Sequence, residues 1–359
     1  MICTKILKFL VLSTPFFWLT SSLSYQAIPK RTTIERDNQP LNCPHFKECP
    51  GCITPTHYTD IPIVKSAKLF FSSSSIRQKT IRPHPDDDYD ETTGREESFF
   101  QTVIPSSTLG WRTQAKLAVQ PKSKWGNGCI FGLYERKSHK VVSIPECVVH
   151  HPSINRAIDV LTRATVTVNT PSWREDTGGD GLRYVQLSVE RVTGKVSMTL
   201  VWHASNLKGC QPHLTRLVKE CKKSQGETPL FHSIWCHTNE SLGNAIFARG
   251  EKNWHPMEGP EFTREVLPGT NVENREGLLH FTPMVFRQGN MDGFDEIAMH
   301  VARSVTGGSK VCELYAGVGL LGLTALTHWA KEGNPLEWLR CSDENSNNPR
   351  CFKRTVNTM

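Results

Sequence analysis

Four cysteines have the side-chain type and spacing of a metal-binding group. Cys43, Cys49 and Cys52 form a C-x5-C-x2-C pattern, and Cys147 follows in the segment SIPECVVHHP. Thiolates grouped in this way hold a soft metal centre or form disulfides, and four of them suit zinc or an iron–sulfur cluster. The spacing does not choose between these two metal centres. Unconnected structural thiols are the alternative interpretation of the same pattern.

A glycine turn is the second feature with recognisable chemistry. In VCELYAGVGLLGL (311–323) an apolar strand leads through Gly317 and Gly319 into an apolar helix. Glycines let the backbone approach a ligand that the helix N-terminus faces, so this unit is typical of nucleotide-like cofactor sites. Asp343 and Glu344 end the next strand, where a carboxylate can accept two ribose hydroxyls. A plain strand–turn–helix with solvated acids is the alternative.

Length, composition and charge limit the class of protein that can position these groups. The 359 residues are enough for two or three domains, and 38% hydrophobic residues with 9 Trp support packed cores. The net charge is +7, yet the segment PDDDYDETTGREE (85–97) alone carries −6, so the rest carries +13. A basic body suits a polyanion such as RNA, although an ordinary basic surface gives the same balance. The 12 cysteines are not arranged as in a small disulfide scaffold.

The first 24 residues resemble a targeting segment. Lys5 and Lys8 precede the apolar run FLVLSTPFFWL (9–19), and no acid occurs before Glu35. The run is too short, and too interrupted by Pro15, for a membrane span, but it fits a signal-peptide core. Since a thiolate metal centre fits badly with secretion, we predict import into an organelle, either a plastid or a mitochondrion. We expect the mature chain to be a monomer outside the membrane.

Four further regions follow this segment. Residues 25–42 are predicted to be a disordered linker and 72–97 a mobile insertion. Between 98 and 283 strand and helix patterns alternate, which favours an antiparallel sheet with helices. The predicted strands and hairpins are 115–120, 129–144, 182–204 (turning at Thr193–Gly194) and 231–239, and the predicted helices are 64–71, 153–165 and 212–224. From 293 onward the pattern is helix, strand, helix, strand, which is the first third of a doubly wound sheet.

Taken together, these segments resemble the RNA (uracil-5-)-methyltransferase family, whose members use S-adenosylmethionine and in many cases carry a [4Fe–4S] cluster. The cluster motif C-x5-C-G-G-C is similar to CPHFKECPGC, with Pro50 in place of one glycine. GWRTQAKLAVQ (110–120) is similar to the family's Y-R-x-[KR]-x-[KR] strand, FRQGN (286–290) to F-x-Q-x-N, and CELYAGVGLLGL to D-L-[FY]-C-G-x-G-x-[FL]-x-L. The segment 127–152 is similar to the family's stretch that ends in the fourth cysteine. The resemblance covers roughly 43–359.

The resemblance implies a set of site residues. The [4Fe–4S] ligands would be Cys43, Cys49, Cys52 and Cys147, and RNA would contact Arg112, Lys116 and Arg136. S-adenosylmethionine would be bound by Gln288, Tyr315, Gly317, Gly319, Leu320 and Asp343, with Glu344 as the alternative acid. Three positions depart from the family pattern: Glu313 stands for an Asp, Ala316 for a common Cys, and Leu320 for a polar residue of some members.

The implied architecture is α/β: an antiparallel-sheet α+β central domain (43–283) that carries the cluster and binds RNA, followed by an incomplete Rossmann-like S-adenosylmethionine-dependent methyltransferase domain (284–359). In the family a Cys attacks uracil C6 and a late Glu removes the C5 proton. The segments that carry these two groups do not occur in the 359 residues. We therefore expect an RNA uridine C5-methyltransferase, acting on tRNA or rRNA, that is inactive as this truncated chain and contains no catalytic residue. A non-catalytic iron–sulfur RNA-binding module is the alternative.

Overall fold

The structure, a computed structural model, describes residues 9–10, 42–52, 62–71, 109–123, 126–176, 178–243, 245–270 and 277–359. The predicted targeting segment 1–24 and linker 25–42 lie outside these ranges except at 9–10 and 42, and the predicted insertion 72–97 lies wholly outside them. The described residues belong to two compact units. One contains 9–10, 43–51 and everything from 109 onward, and the other contains residues 42, 52 and 62–71.

Most predicted elements occur close to their expected positions. The described strands are β1 (Phe9–Leu10), β2 (Gln114–Ser123), β3 (Gly126–Tyr134), β4 (Val141–Ser143), β5 (Gly181–Glu190), β6 (Lys195–His203), β7 (Phe231–Thr238), β8 (Trp254–Glu258), β9 (Thr263–Val266), β10 (Leu278–Phe281), β11 (Lys310–Leu314) and β12 (Trp338–Ser342). The described helices are α1 (Pro62–Phe71), α2 (Pro152–Thr167), α3 (Leu207–Ser224), α4 (Met291–Ser304), α5 (Leu320–Lys331) and α6 (Asn348–Val356).

A seven-stranded sheet with the order β4-β3-β2-β5-β6-β7-β8 forms the centre of the larger unit. Neighbouring strands are antiparallel, as predicted, except for β6 and β7, which pair in parallel. The exception arises because α3 lies between β6 and β7 in the chain, and a helical crossover returns the next strand in the same direction. The sheet is therefore mixed rather than purely antiparallel.

The two faces of this sheet differ because side chains alternate along each strand. On one face Leu117, Val185, Leu200 and Cys236 form a row across four strands. Cys236 is hydrogen-bonded to Cys210 of α3, so this apolar face lies under the helices.

On the opposite face, which we call the polar face, the corresponding row consists of Lys116, Gln186, Thr199 and Trp235. Tyr184 and Val201 add a small apolar cluster to this face. Gln186 donates a hydrogen bond from Nε2 to the Pro283 carbonyl at 3.4 Å. The segment that leads to FRQGN therefore lies against the polar face.

The C-terminal part forms the predicted β-α-β start. β11 and β12 pair in parallel, β1 pairs antiparallel with the other edge of β11, and α5 connects the two parallel strands. Leu320 and Leu323 of α5 pack into a core with residues of β10, α4 and α6. This packing fixes the glycine turn at the carboxyl end of β11. None of the helices in the described ranges combines the length and the hydropathy needed to cross a membrane.

Candidate functional site

The glycine turn after β11 has the backbone conformation expected of a ligand-binding loop. Tyr315, Gly317 and Gly319 all have left-handed φ values, of 57°, 59° and 80°. Such a φ costs a non-glycine residue about 1 kcal/mol or more, so the strain at Tyr315 marks a candidate functional position. The Tyr315 side chain is 60% exposed. No atom outside the immediate neighbours lies within 4 Å of the position that a Cβ on Gly317 would take, so this side of the turn is open.

Asp343 meets the glycine turn directly. Its Oδ2 accepts a hydrogen bond from the Gly317 backbone N–H at 2.8 Å, and its Oδ1 accepts one from the Asn345 N–H at 2.9 Å. Each carboxylate oxygen has a second lone pair, which can accept a ligand hydroxyl. The neighbouring Glu344 is exposed and has no such bond to the turn among the described contacts. Of the two acids considered, Asp343 is thus the one that the fold brings to the turn.

Gly322 is a site residue that the sequence analysis missed. A Cβ at Gly322 would lie 2.6 Å from Glu313 Oε2 and 2.8 Å from Leu339 Cδ1, and a Cβ at Gly319 would lie 2.6 Å from the Phe352 ring. Gly322 therefore allows α5 to pack closely on β11 and β12, and Gly319 allows the turn to approach α6. The signal was present in the sequence, because Gly317, Gly319 and Gly322 have the G-x-G-x-x-G spacing of dinucleotide-binding folds.

Glu313, which replaces the family's Asp, is a buried acid beneath the turn. It is 4% exposed, and its Oε2 accepts hydrogen bonds from the Gly322 N–H at 2.8 Å and the Cys341 thiol at 3.4 Å. Burial raises the pKa of Glu313 to about 7, although the hydrogen bond from Gly322 opposes the shift. The acid therefore supports the first turns of α5 rather than facing solvent.

Leu320 was predicted to bind the cofactor, and its side chain packs in the hydrophobic core at 6% exposure. A cofactor contact from Leu320 would therefore have to come from its backbone in the first turn of α5.

The FRQGN segment, which contains the predicted cofactor residue Gln288, is held on both sides. Thr113 donates its backbone N–H to the Gly289 carbonyl at 2.7 Å, and Asn290 caps α4 by accepting a bond from the Gly293 N–H at 2.9 Å. Gln288 itself is half-buried. The motif is therefore a fixed connection between the start of β2 and the start of α4.

A buried ionic network also fixes the FRQGN segment. Arg287 is 4% exposed and pairs with Glu265 of β9. Glu265 also accepts a bond from Arg191 Nε at 2.5 Å, and Arg191 Nη1 pairs with Asp295 of α4 at 2.9 Å. Removing one member of a buried ion pair is strongly destabilising, since a charge is left uncompensated. No spacing in the sequence indicates this network, because its members come from four separate segments.

Three of the four predicted metal ligands lie near one another. Cys147 is 8% exposed, and burial raises the pKa of its thiol. The Val149 and His150 amides lower this pKa, whereas the nearby Cys43 and Cys49 raise it further. Backbone amides that point at sulfur are typical surroundings of cluster thiolates. Cys52, the fourth predicted ligand, belongs to the smaller compact unit.

The segment around Cys49 adds a second contact of this kind. Its thiol accepts a bond from the Gly51 N–H at 3.4 Å, and a Cβ on Gly51 would lie 3.3 Å from that sulfur and 3.1 Å from Leu133. Gly51 therefore keeps room beside Cys49. Within the described residues no group of three or more His, Cys, Asp or Glu side chains has the arrangement of a metal site. The thiols of Cys49 and Cys147, each with a backbone amide contact, fit a thiolate-bound centre in their chemistry.

The three predicted RNA contacts lie in different surroundings. The backbone of Arg112 forms isolated β-bridges with His150 and with Asn290. Its guanidinium lies 4.9 Å from the centre of the Trp111 ring. Lys116 is exposed, but its ammonium lies over the Phe247 ring, and partial burial there lowers its pKa. Arg136 is exposed in the turn between β3 and β4.

Comparison with known proteins agrees with the motifs. The chain is 28% identical over 318 residues to an uncharacterised RNA methyltransferase of Protochlamydia amoebophila, covering 88% of this chain and 70% of the relative. Two further uncharacterised RNA methyltransferases match at 26% (Geobacter sulfurreducens) and 24% identity (Bacillus cereus), covering 79% and 78% of this chain. The chain spans only 50% and 54% of those two relatives.

A solved structure has the same fold. The Pyrococcus abyssi tRNA (uracil-54, C5)-methyltransferase in complex with S-adenosyl-L-homocysteine superimposes with a TM-score of 0.51 at 23% identity, over 70% of this chain and 54% of that chain. This likeness confirms the predicted α/β fold class. No family model matches the chain. Along most of its length the chain is thus similar to proteins named as RNA methyltransferases, in agreement with the resemblance that its cysteine and glycine motifs indicate.

Proposed function

We propose that this protein is an S-adenosylmethionine-dependent methyltransferase that acts on C5 of a uridine in tRNA or rRNA. The observation that carries the proposal is the hydrogen bond between Asp343 and the Gly317 N–H, which places a carboxylate at the open side of the glycine turn. The named relatives are RNA methyltransferases, and the solved relative holds S-adenosyl-L-homocysteine. The basic balance of the chain is consistent with a polyanionic substrate.

The residues of this chain have separate tasks in such a reaction. S-adenosylmethionine supplies the methyl group, Asp343 would accept bonds from its ribose hydroxyls, and Tyr315 and Gln288 would contact the same cofactor. A thiolate that adds to uracil C6 makes C5 nucleophilic, and a base then removes the C5 proton. Cys351 does not fit the thiolate role, because it is fully buried and burial raises its pKa. We therefore assign neither the thiolate nor the base to a residue of the described ranges.

Calorimetry with S-adenosyl-L-homocysteine tests the cofactor site. We expect Asp343→Asn to weaken binding about tenfold, or 1.4 kcal/mol, because an amide replaces one strong acceptor with a donor. Glu344→Gln is the matched control, since this exposed neighbour makes no contact with the turn among the described residues. Equal affinities of the Asp343→Asn variant and the unmodified protein would contradict the proposed site.

Tritium release from RNA that contains 5-tritiated uridine tests the reaction. Since the chain spans about half the length of several relatives, the assay includes both the 359-residue chain and the product of any longer transcript. Release by the longer product supports C5 methylation, whereas methyl incorporation into RNA without tritium release contradicts it.

We also propose that Cys43, Cys49, Cys52 and Cys147 hold one [4Fe–4S] cluster. The proximity of Cys147 to Cys43 and Cys49 supports this, and the inclusion of Cys52 rests on its spacing from Cys49. Protein purified without oxygen should contain about four iron and four sulfide ions per chain, as one such cluster requires.

The Cys49→Ser variant tests this assignment. It should lose most of the iron, while Cys129→Ser should retain it, because Cys129 is buried elsewhere with its thiol directed at the Thr170 carbonyl. One zinc ion per chain without iron would show that the thiols form a structural zinc site instead.

A further inference from the structure

A group of aromatic side chains lies on the polar face of the seven-stranded sheet and is not used by the proposed reaction. We call Lys116, His237, Phe247 and Trp254 the aromatic ledge. The Phe247 and Trp254 rings are 4.9 Å apart, and His237 lies 4.4 Å from Trp254 and 5.2 Å from Phe247. The Lys116 ammonium lies 5.1 Å from the centre of the Phe247 ring. Phe247 and Trp254 are both only partly buried, so part of each ring meets solvent.

Hydrogen bonds fix the backbone on both sides of Phe247. Asn239 donates bonds to the Ala245 and Ile246 carbonyls at 2.8 and 3.1 Å, which fixes the chain immediately before Phe247. His237 accepts a bond at Nε2 from the Ala248 N–H at 2.8 Å, so the chain after Phe247 is fixed as well. A ring that is already immobile loses little entropy when a flat ligand stacks on it.

Arg183 fixes the tip of the same loop. This buried residue donates to the carbonyls of Ser241 and Gly243, and its guanidinium stacks 4.1 Å over the Trp173 ring. Leu242, between the two bound carbonyls, is 76% exposed. The loop therefore presents a fixed surface around the ledge instead of closing over it.

The ledge lies next to the proposed cofactor motif. Gln114 of β2 is a neighbour of FRQGN, since its carbonyl lies 3.9 Å from the position of a Cβ on Gly289. Lys116 follows two residues later on the same face of β2, a distance of about 7 Å. Exposed Arg249 and Lys252 precede Trp254 in sequence, with Glu251 between them, so the segment adds positive charge to that of Lys116.

We propose that the aromatic ledge binds one unpaired RNA nucleotide beside the uridine to be methylated, with its base against Phe247 and Trp254 and its phosphate on the Lys116 ammonium. This inference rests on the proposed function. An enzyme that acts on a base needs that base out of its stack, and single-stranded RNA is commonly held by aromatic rings that tolerate any sequence. A lysine over an aromatic ring supplies the charge that such a nucleotide carries.

The test uses a short single-stranded RNA that carries 2-aminopurine next to a uridine, since stacking on a ring quenches the fluorescence of this base. We expect quenching with the unmodified protein, and about tenfold weaker binding with loss of quenching for Phe247→Leu, given the usual contribution of one stacked base. Phe262→Leu is the matched control, because Phe262 packs against His280 and Arg350, away from the ledge.

Two further measurements keep the outcome interpretable. Lys116→Gln changes an exposed residue and should reduce the salt dependence of RNA binding by about one released ion. S-adenosyl-L-homocysteine affinity, measured for each variant, reports on the cofactor site independently of RNA. Phe247→Leu and Lys116→Gln could both bind S-adenosyl-L-homocysteine normally and leave RNA affinity, quenching and salt dependence unchanged. This result would contradict the role of the aromatic ledge but not the proposed function. Absence of cofactor binding by the unmodified protein would overturn the proposed function while leaving the RNA test valid.

Discussion

At the scale of single residues, Glu313 shows how a buried acid beneath the glycine turn makes the stability of the fold depend on pH. The side chain reaches the Gly322 N–H in the first turn of α5, and the carboxyl group is almost fully buried there. Its pKa of about 7, raised mainly by burial, puts its ionisation in the neutral range. Because the folded pKa lies above the unfolded value, this group stabilises the fold at low pH, and the contribution is lost as the pH rises through about 7.

Glu313→Gln removes the charge and keeps an oxygen that can accept the Gly322 N–H. We expect the variant to be more stable than the unmodified protein at pH 8, by up to about 3 kcal/mol, and to lose this advantage at pH 5. Thermal melting at several pH values measures the difference, with the exposed Glu344→Gln as the control. Parallel stability curves for the Glu313→Gln variant and the unmodified protein would show that Glu313 does not titrate in this range.

At the scale of elements, local sequence patterns were sufficient to predict those helices and turns whose residues are neighbours in the chain. The hairpin of β5 and β6 turns at Thr193–Gly194 as predicted, because Gly194 takes a left-handed φ of 70° and the flanking strands alternate. Helix α2 begins one residue before and ends two residues after its predicted range of 153–165, since its apolar spacing is set by the helix itself. In the candidate site, the glycine turn and Asp343 could be predicted because each follows a strand in a short local pattern.

Features that depend on distant segments could not be found in the sequence. The parallel pairing of β6 with β7 depends on where α3 packs, which no window of residues contains. The network of Arg287, Glu265 and Arg191 joins three segments that are separated by more than twenty residues. Arg287 occupies the variable position of F-x-Q-x-N, so the motif gave it no role. Such contacts become visible only once the fold is known.

At the scale of the whole molecule, buried histidines connect folding to pH. His150, at 5% exposure, and the fully buried His237 both have pKa values lowered to about 4, mainly by burial. Both are therefore neutral in the fold and bind protons in the unfolded chain below pH 6.5. Their contribution to stability is complete above pH 6.5 and is lost as the pH falls towards 4.

Between pH 5 and 6.5 these two histidines oppose Glu313, which binds a proton in the fold and favours lower pH. Two groups outweigh one, so we expect stability to fall by about 1 kcal/mol for each unit of pH below 6.5. Urea unfolding of the His150→Gln/His237→Gln variant should show a weaker loss of stability in acid, because the two histidines whose pKa values are lowered to about 4 are then absent. His139→Gln should behave as the unmodified protein, since His139 is exposed. If the double variant kept the original slope, the acid sensitivity would have to come from other groups.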